Sequence, residues 1–284
     1  MGEPAAGSAG EYVIIPSPSA ELRGHALGID VGGTGIKAAV VDLATGRLVT
    51  ERSRLPTPRP ANPAAVLAVV ADVVAQVQAT GLLTPDLPGG VGFPSVIRAG
   101  RAMTAPHGNT SWVGESVRAM LEERLGRPLT VLNDADAAGV GEIAYGAGRD
   151  QPGVVLVLDL GTGIGSALFV DGQLVPNLQL GHIEFGGRDA EARLAPAVRI
   201  KRKIAWPRWG REFNKLLARY EEYLWPDLII LGGGTAKDFE TYRALLVTRA
   251  PLVVTAIGNS AGIVGAARVG AGAHPTPDPR PGQA

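Results

Sequence analysis

Short apolar runs alternate with longer segments of helical spacing along most of the chain. Apolar runs of about four to eight residues bounded by Gly, Pro or Asp are typical of buried strands, and apolar positions three and four apart are typical of helices. This pattern predicts helices over residues 63–79, 112–125 and 135–145 and in AGIVGAARVG, and strands in HALGID, IKAAVVD, RLVTERSR, GGVGFP, LTVLN, GVVLVLDL and DLIILGGG. Such alternation predicts an α/β fold with mostly parallel sheets.

Two segments of the chain repeat one another. Residues 28–49 read GIDVGGTGIKAAVVDLATGRLV, and residues 157–175 read VLDLGTGIGSALFVDGQLV. Each contains a strand ending in Asp, a Gly-Thr-Gly turn, a second strand with small residues, and Val-Asp before another Gly turn. Glycines permit positive φ and bring backbone N–H groups close to an anion. The repeat predicts two related lobes whose turns clamp a phosphate chain across a cleft. The alternative is a chance likeness of two Gly-rich hairpins.

The length and the composition of the ends suggest a domain organisation. The chain has 284 residues and a mass of 29.3 kDa, which is enough for two domains. We expect disordered tails at residues 1–24 and 272–284, which are rich in Gly, Pro, Ala and Ser. Between them we expect one lobe at 25–134, joined by a C-terminal helix at 260–271, and a second lobe at 135–259.

Charge and cysteine content exclude several classes of protein. The 27 basic and 27 acidic residues cancel, which argues against a nucleic-acid or membrane binder driven by total charge. The absence of Cys excludes disulfides, thiolate metal sites and cysteine nucleophiles. No apolar run reaches the ~18 residues of a membrane span, and the opening MGEPAAGSAGEY lacks the features of a secretory signal. We therefore expect a cytoplasmic protein.

Five motifs together resemble the ROK sugar kinases: Asp30-x-Gly-Gly-Thr-x-x-Lys37, Asn133-Asp134-Ala-Asp-Ala-Ala, Leu160-Gly-Thr-Gly-Ile-Gly165, Gly181-His182 and Leu231-Gly-Gly-Gly234. The segments VLNDADAAG, LGTGIGSALFVDGQLVPN and AGIVGAA are more similar still to the polyphosphate glucokinase branch. The resemblance covers roughly residues 25–270. It implies a two-lobed, actin-like (ribonuclease-H-like) α/β fold. It also implies magnesium-dependent phosphoryl transfer from inorganic polyphosphate, or ATP, to the 6-hydroxyl of glucose.

Asp134 is the candidate catalytic base. Phosphoryl transfer to a hydroxyl needs a carboxylate to orient and deprotonate the attacking oxygen. Asp134 follows a strand directly and stands at the start of a predicted helix, where an Asp is also a common N-cap; the resemblance implies the catalytic role. Its neighbour Asn133 is expected to offer an amide to sugar hydroxyls. Asp136 is expected to be a solvated or first-turn charge.

The donor side of the site is assigned to the end of the first strand and to three glycine turns. The resemblance implies that Asp30 organises magnesium through water, the alternative being a turn-forming Asp. Lys37 is either a phosphate contact or a structural pairing. Asp159 stands where related chains carry Thr, so it either helps to hold magnesium or repels a polyanion. The full set of predicted phosphate-binding residues is Gly32, Gly33, Thr34, Lys37, Gly161, Thr162, Gly163 and Gly233.

The sugar side departs from the family pattern. The resemblance implies that His182 and Glu191 hydrogen-bond the sugar; many family members use this histidine with three cysteines to bind zinc, a site that cannot form here. Gln179 replaces a sugar-binding Glu, which keeps the shape but loses the charge. Ser95 replaces a Gly, and an expected Asn is replaced around His107. These changes predict altered sugar affinity or specificity. Whether Glu184 reaches the sugar stays open.

A basic stretch bears on the phosphoryl donor. Residues 199–203 read RIKRK and precede Trp206 and Trp209 in a segment with a strong excess of basic residues. This stretch is either a track for a long polyanion or a solvated helix face.

The alternatives to a polyphosphate glucokinase are an ATP-dependent gluco- or mannokinase and a sugar-binding pseudokinase. A DNA-binding repressor is disfavoured because 24 residues before the first strand leave no room for a helix-turn-helix domain. The resemblance also implies a homodimer.

Overall fold

The computed structural model describes residue 17 and residues 21–272, apart from the side chain of residue 107, so most of the two predicted tails lies outside the described residues. The strands in this part of the chain are β1 (His25–Val31), β2 (Ile36–Asp42), β3 (Ser53–Leu55), β4 (Gly89–Phe93), β5 (Ile97–Arg98), β6 (Arg101–Ala102), β7 (Thr130–Asn133), β8 (Val154–Leu160), β9 (Ile164–Val170), β10 (Gln173–Val175), β11 (Leu228–Gly232) and β12 (Leu252–Val254). The α-helices are α1 (Pro63–Gln78), α2 (Val117–Leu125), α3 (Asp134–Tyr145), α4 (Ala190–Leu194), α5 (Pro196–Lys201), α6 (Trp206–Leu224), α7 (Phe239–Tyr242) and α8 (Ala261–Gly272).

Two five-stranded sheets have the same topology. The first has the order β3-β2-β1-β4-β7 and the second the order β10-β9-β8-β11-β12. In the first sheet β1, β2 and β3 pair antiparallel, and β4 and β7 follow in parallel on the other side of β1. In the second sheet β8, β9 and β10 pair antiparallel, and β11 and β12 follow in parallel on the other side of β8. The repeat at residues 28–49 and 157–175 forms the equivalent hairpins β1–β2 and β8–β9. The α/β prediction is therefore confirmed, but the expectation of mostly parallel sheets was wrong, because each five-stranded sheet has two antiparallel and two parallel pairings.

A close helix pair, α3 and α8, lies between the sheets. Helix α8 packs on β1 and β4, whereas α3 packs on β8 and β9. A Cβ at Gly265 would lie 1.7 Å from the carbonyl oxygen of Ala137, and a Cβ at Gly141 would lie 2.6 Å from that of Ala261. Glycine at these positions is therefore required by the contact between the two backbones. This contact fixes the start of α3, which carries Asp134, relative to both sheets.

Several element boundaries differ from the sequence-based expectation. In the segment RLVTERSR only Ser53–Leu55 forms a strand, with one isolated bridge at Leu48. The helix expected from Trp112 begins at Val117, because Ser116 caps it and Gly114 has φ +84°. Helices α4 to α7 had no counterpart in the predicted elements.

The bounds of the two lobes, 25–134 and 135–259, stay a prediction. We propose to assign α8 to the first lobe because it packs on strands of the first sheet. Among the described residues, no helix combines the length and apolarity needed to cross a membrane.

Candidate active site

A cleft of about 1110 Å³ lies where the carboxyl ends of strands from both sheets meet. It is lined by Asp30 near the end of β1, Asn133 at the end of β7, Asp159 near the end of β8 and Gly232 at the end of β11. Each motif quoted for the family resemblance contributes residues to the wall of the cleft, and the Gly181-His182 motif does so through His182. Parallel strands bring residues distant in sequence to one edge of a sheet, so the topology explains this convergence.

Three carboxylates, those of Asp30, Asp134 and Asp159, share the floor of the cleft. Burial raises the pKa of Asp134 to about 7, with further increases from the charges of Asp30 and Asp159. Burial and the charge of Asp30 raise the pKa of Asp159 to about 6, against the opposing effect of Lys37. A carboxyl group with a pKa near the working pH is suited to accept a proton from a substrate hydroxyl.

Lys37 is paired with the first of these carboxylates. Its Nζ donates to Asp30 Oδ2 at 2.6 Å, and the two residues are direct neighbours across the β1–β2 ladder. Of the two readings of Lys37, structural pairing is the one present in this structure. The ammonium group nevertheless lines the cleft, so a phosphate contact stays a prediction.

Asn133 and the start of α3 hold Asp134 in position. Asn133, and not Asp134, is the N-cap: its Oδ1 accepts hydrogen bonds from the N–H groups of Ala135 and Asp136. Its Nδ2 donates to the carbonyl oxygen of Ser95 at 3.1 Å. Asp134 is the first helical residue, and its Oδ1 accepts from the N–H of Ala135 at 2.9 Å. The buried Asn133 side chain therefore already serves the cap, and its role in sugar binding stays a prediction.

Of the two alternatives for Asp136, the position in the first turn of α3 is confirmed, and the solvated charge is wrong. Asp136 is 1% exposed, and its Oδ2 accepts a hydrogen bond from the N–H of Asn177 at 2.7 Å. Burial raises its pKa to about 7. Asn177 in turn bonds both backbone polar groups of Ile97, through Oδ1 at 2.8 Å and Nδ2 at 2.9 Å. The carboxylate thus joins α3 to the loop of Asn177, and through that residue to β5, a role that spacing along the helix did not predict.

Most glycines of the predicted phosphate-binding turns lack the positive φ that was expected of them. Gly32 and Gly163 lie outside the positive-φ region; among the predicted phosphate-binding glycines, only Gly233 adopts it, at φ +77°. In the second hairpin turn, a Cβ at Gly163 would lie 2.1 Å from Glu191 Oε2, whereas a Cβ at Gly161 would have no atom within 4 Å. Both tips are closed by one backbone hydrogen bond, Gly32 to Gly35 and Gly161 to Gly163, each at 3.1 Å. The residues Gly32, Gly33, Thr34, Gly161, Thr162, Gly163 and Gly233 all line the cleft.

The predicted sugar-binding residues line the same cleft. His182, Gln179 and Glu191 all contribute to its wall. His182 Nδ1 lies 2.8 Å from Asp189 Oδ2, a partner that sequence reasoning missed. Asp189 also caps α4, the helix that carries Glu191, so the histidine and the glutamate are positioned by one residue.

Two other polar residues of this region bond neighbouring backbone. Ser95 lines the cleft, and Glu184 does not. Glu184 Oε1 accepts from the N–H of Gly187. The hydroxyl of Ser95, which is 3% exposed, donates to the carbonyl oxygen of Thr104 at 2.8 Å. The side chain added at position 95 is therefore folded onto a neighbouring loop. The side chain of His107 lies outside the described residues.

Glu142 is a second buried carboxylate that sequence reasoning missed. It is 1% exposed, lies two turns after Asp134 on α3 and accepts hydrogen bonds from the N–H groups of Ala147, Ala256 and Ile257. The hydroxyl of Thr255 is a further donor to it. Since these partners lead into α8, Glu142 ties α3 to the turn before that helix.

Comparison with known proteins identifies the family. The ROK family profile matches residues 26–199, more than half of the chain. The chain belongs to the ROK family. It is 44% identical to the polyphosphate glucokinase of Mycobacterium tuberculosis over 88% of this chain and 93% of that protein.

Solved structures give the same family relationship. The structure of the inorganic polyphosphate/ATP-glucomannokinase from Arthrobacter sp. strain KM is similar with a TM-score of 0.82 and 44% identity, covering 86% of this chain and 97% of that one. A ROK family glucokinase from Streptomyces griseus, solved with glucose and AMPPNP, has a TM-score of 0.74 at 23% identity, covering 87% and 99%. The latter shows the fold alone. The ROK chain therefore has the actin-like, ribonuclease-H-like two-domain fold expected from its motifs.

Proposed function

We propose that this ROK chain is a polyphosphate-dependent glucokinase. It transfers a phosphoryl group from inorganic polyphosphate, and also from ATP, to the 6-hydroxyl of glucose. The observation that carries the proposal is Asp134, a carboxyl group with a pKa of about 7 at the floor of a cleft between two glycine turns. Support for the donor comes from the 44% identity to a polyphosphate glucokinase and to a polyphosphate/ATP-glucomannokinase.

In this reaction Asp134 orients the 6-hydroxyl and accepts its proton. The sugar oxygen then forms a bond to the terminal phosphorus, the bridging P–O bond breaks, and the shortened polyphosphate, or ADP, leaves with the electron pair. Because burial holds the pKa of Asp134 near 7, a useful fraction of this group is ionised at neutral pH and the proton transfer is nearly balanced. Closure of the lobes would exclude water, which competes with the sugar as the nucleophile.

The backbone of the two hairpin turns holds the phosphate chain from both sides. Gly33 and Thr34 come from the first turn, and Thr162 and Gly163 from the second. Backbone N–H groups and hydroxyls that are already oriented stabilise charge that develops on phosphoryl oxygens. We assign Gly233, on the third turn, to the leaving-group side.

The donor set fits magnesium bound through water. Within the described residues, no group of three or more His, Cys, Asp or Glu side chains is arranged to hold a metal ion directly. Asp30, Asp134 and Asp159 nevertheless place three carboxyl groups together with Lys37 as the one cation among the described residues bonded to them, and Mg²⁺ commonly keeps its waters and uses one or two carboxylates with substrate phosphates. Asp30 and Asp159 would hold it, and when bound it would neutralise charge on the transferred phosphoryl group. We propose no zinc site.

The sugar is bound on the other side of Asp134. His182, held by Asp189, and Glu191, held by its bond from the N–H of Ile164 at 2.8 Å, are assigned to its hydroxyls, together with Asn133 and Gln179. Gln179 offers no charge to a hydroxyl donor, so affinity for glucose is expected to be lower than with Glu at this position.

Glucose 6-phosphate formation tests the proposal directly. Purified protein with magnesium and glucose is supplied with polyphosphate or ATP in parallel assays, and mannose replaces glucose in a second set. Faster turnover with polyphosphate supports the proposal. Activity with ATP alone would leave an ATP-dependent gluco- or mannokinase, and no product with either donor and either sugar would favour a sugar-binding pseudokinase.

A variant of the base provides the control. Asp134→Ala is expected to remove nearly all activity, by a factor of about 10²–10⁴ for a general base, while the protein stays folded. Wild-type turnover in this variant would exclude Asp134 as the base. Formation of a homodimer and a cytoplasmic location stay predictions.

A further inference from the structure

Helices α5 and α6 carry a strong local excess of positive charge. Residues 196–219 contain eight basic residues and one acidic residue in a chain with no net charge. On α6 four of the basic residues recur at intervals of three or four positions, which places them on one face of the helix. All four are exposed: Arg208, Arg211, Lys215 and Arg219. We call this face the α6 stripe; it extends for about 16 Å at 1.5 Å per residue.

Helix α6, which carries the stripe, begins at a residue that lines the cleft. Arg199, Ile200 and Trp206 all line the cleft. The guanidinium of Arg199 lies over the Trp206 ring, 3.6 Å from its centroid, and its Nη1 donates to the carbonyl oxygen of Ile204. These contacts fix a cation at the rim, and Arg208 follows Trp206 by two residues. The stripe therefore starts within one helical turn of a residue in the wall of the cleft.

Most of this charge is not neutralised by the protein. The single acidic residue, Glu212, is bound to Arg193 at 2.8 Å and to Lys215 at 2.7 Å. Within the described residues, no salt bridge is formed by Lys201, Arg208 or Arg211. A solvated helix face usually mixes charges of both signs along its length. An uncompensated, single-sign face is typical of a surface that attracts an anion.

We propose that the α6 stripe, with Arg199 at its head, is an outer track that binds the part of a polyphosphate chain beyond the phosphates held in the cleft. This inference rests on the proposed function. Polyphosphate is a linear polyanion with a charge on every phosphate and no other group to recognise. A straight row of exposed cations suits it, and such binding becomes stronger as more phosphates reach the row.

The aromatic residues beside the stripe argue against single-stranded nucleic acid as the ligand. Trp209 is 1% exposed and packs on Trp206, Phe213 and Tyr242. One face of the Trp206 ring is covered by Arg199 and the other stacks on Tyr242. Nucleic-acid binders of this kind offer free ring faces on which bases stack, and these rings are already occupied.

The experiment compares donors of different length. The variant is Arg208→Ala/Arg211→Ala, and the donors are tripolyphosphate, long-chain polyphosphate and ATP, each with glucose and magnesium. The ratio of KM for long-chain polyphosphate to KM for tripolyphosphate is expected to rise about two- to thirtyfold, as for the removal of two exposed charged side chains. The salt dependence of the long-chain KM, as a log–log slope, is expected to fall by about one for each phosphate-binding cation that is removed.

The matched control is Arg47→Ala/Arg124→Ala, which removes the same charge from exposed positions outside the cleft and the stripe. It is expected to leave the ratio as in the wild type. An unchanged ratio in the Arg208/Arg211 variant, with polyphosphate still used by the wild type, would overturn the track and leave the proposed function intact. A wild type that uses ATP but not polyphosphate would instead overturn the proposed donor.

Direct binding of long-chain polyphosphate without glucose separates the remaining cases. Binding weakened in the Arg208/Arg211 variant but not in the control supports the track whichever donor is used. A single-stranded oligonucleotide of the same charge that binds as tightly as polyphosphate, and loses affinity in the same variant, would overturn the assignment in favour of nucleic acid.

Discussion

The raised pKa that suits Asp134 to its role as a base should also lower the free energy of unfolding of the protein at neutral pH. The variant Asp134→Asn should show the size of this loss. The folded protein holds the pKa of this carboxyl at about 7, through burial and the charges of Asp30 and Asp159. In the unfolded chain an Asp titrates near 3.9. Between these values the unfolded state has released its proton and the folded state keeps it. The stability of the wild type therefore falls as pH rises through this window.

The size of the effect follows from the pKa difference. Each pH unit inside the window costs about 1.4 kcal/mol, and between pH 5 and pH 8 about two units of the window are crossed. Asn has nearly the same shape and does not titrate. The gain in unfolding free energy of Asp134→Asn over the wild type should therefore be about 2–3 kcal/mol larger at pH 8 than at pH 5. The same variant should lose activity by about 10²–10⁴.

Urea unfolding at pH 5 and pH 8 measures this difference. EDTA in the buffer keeps divalent cations from neutralising the three carboxylates. The matched control is Asp72→Asn, which makes the same chemical change on the exposed face of α1. The difference between the two pH values for Asp134→Asn is compared with that for the control.

The reasoning would be refuted if the gain in unfolding free energy of Asp134→Asn were the same at pH 5 and pH 8. It would also be refuted if the difference between the two pH values were no larger than that for Asp72→Asn. Either result would mean that Asp134 is ionised in the folded protein well below pH 7. The carboxyl would then be a weaker base than the mechanism needs, even if the variant were inactive.

Three other substitutions test the sugar side and the helix pair. Gln179→Glu is expected to raise kcat/KM for glucose about tenfold or more by restoring a charged hydrogen bond; an unchanged or lower value would show that Gln179 does not limit sugar use. Asn177→Ala removes both side-chain bonds to Ile97, and in glucose titrations we expect KM to rise more than kcat falls; an unchanged KM would contradict this. Gly265→Ala puts a Cβ 1.7 Å from the carbonyl oxygen of Ala137 and is expected to cost about 1–3 kcal/mol or more, a loss that thermal unfolding measures and that a wild-type Tm would disprove.

The sequence predicted the two sheets well because their signals are local. Alternating apolar runs, each ended by an Asp and a glycine turn, recur at residues 28–49 and 157–175, and both copies form the same hairpin. Helices α4, α5 and α7 have only 5, 6 and 4 residues, too few to show a helical spacing of apolar positions. Helix α6 was missed although its pattern is clear. On α6 the buried positions include Trp209, Phe213 and Tyr220, at helical spacing.

The parts of the site that could not be predicted depend on distant partners. Asp136 bonds the backbone of Asn177, which is 41 residues away, and Glu191 bonds that of Ile164, 27 residues away. Helical position alone made Asp136 a surface charge, since nothing nearby in sequence shows that a loop covers it. The glycines of the hairpin turns line the cleft as expected, but their expected positive φ was wrong, and the crowding at Gly163 comes from Glu191 on another element.

The two copies of the hairpin differ in the residue that faces the aspartate of the first strand, and this difference makes the site asymmetric. Across the first ladder Asp30 faces Lys37, whereas across the second Asp159 faces Gly165. A lysine therefore compensates Asp30, and Asp159 has no cation opposite it. The negative charges of Asp30 and Asp159 both raise the pKa of Asp134. Neutralisation of these two charges would lower that pKa and leave burial as the main cause of its shift. A cation held by Asp30 and Asp159 would in this way increase the ionised fraction of Asp134 at neutral pH.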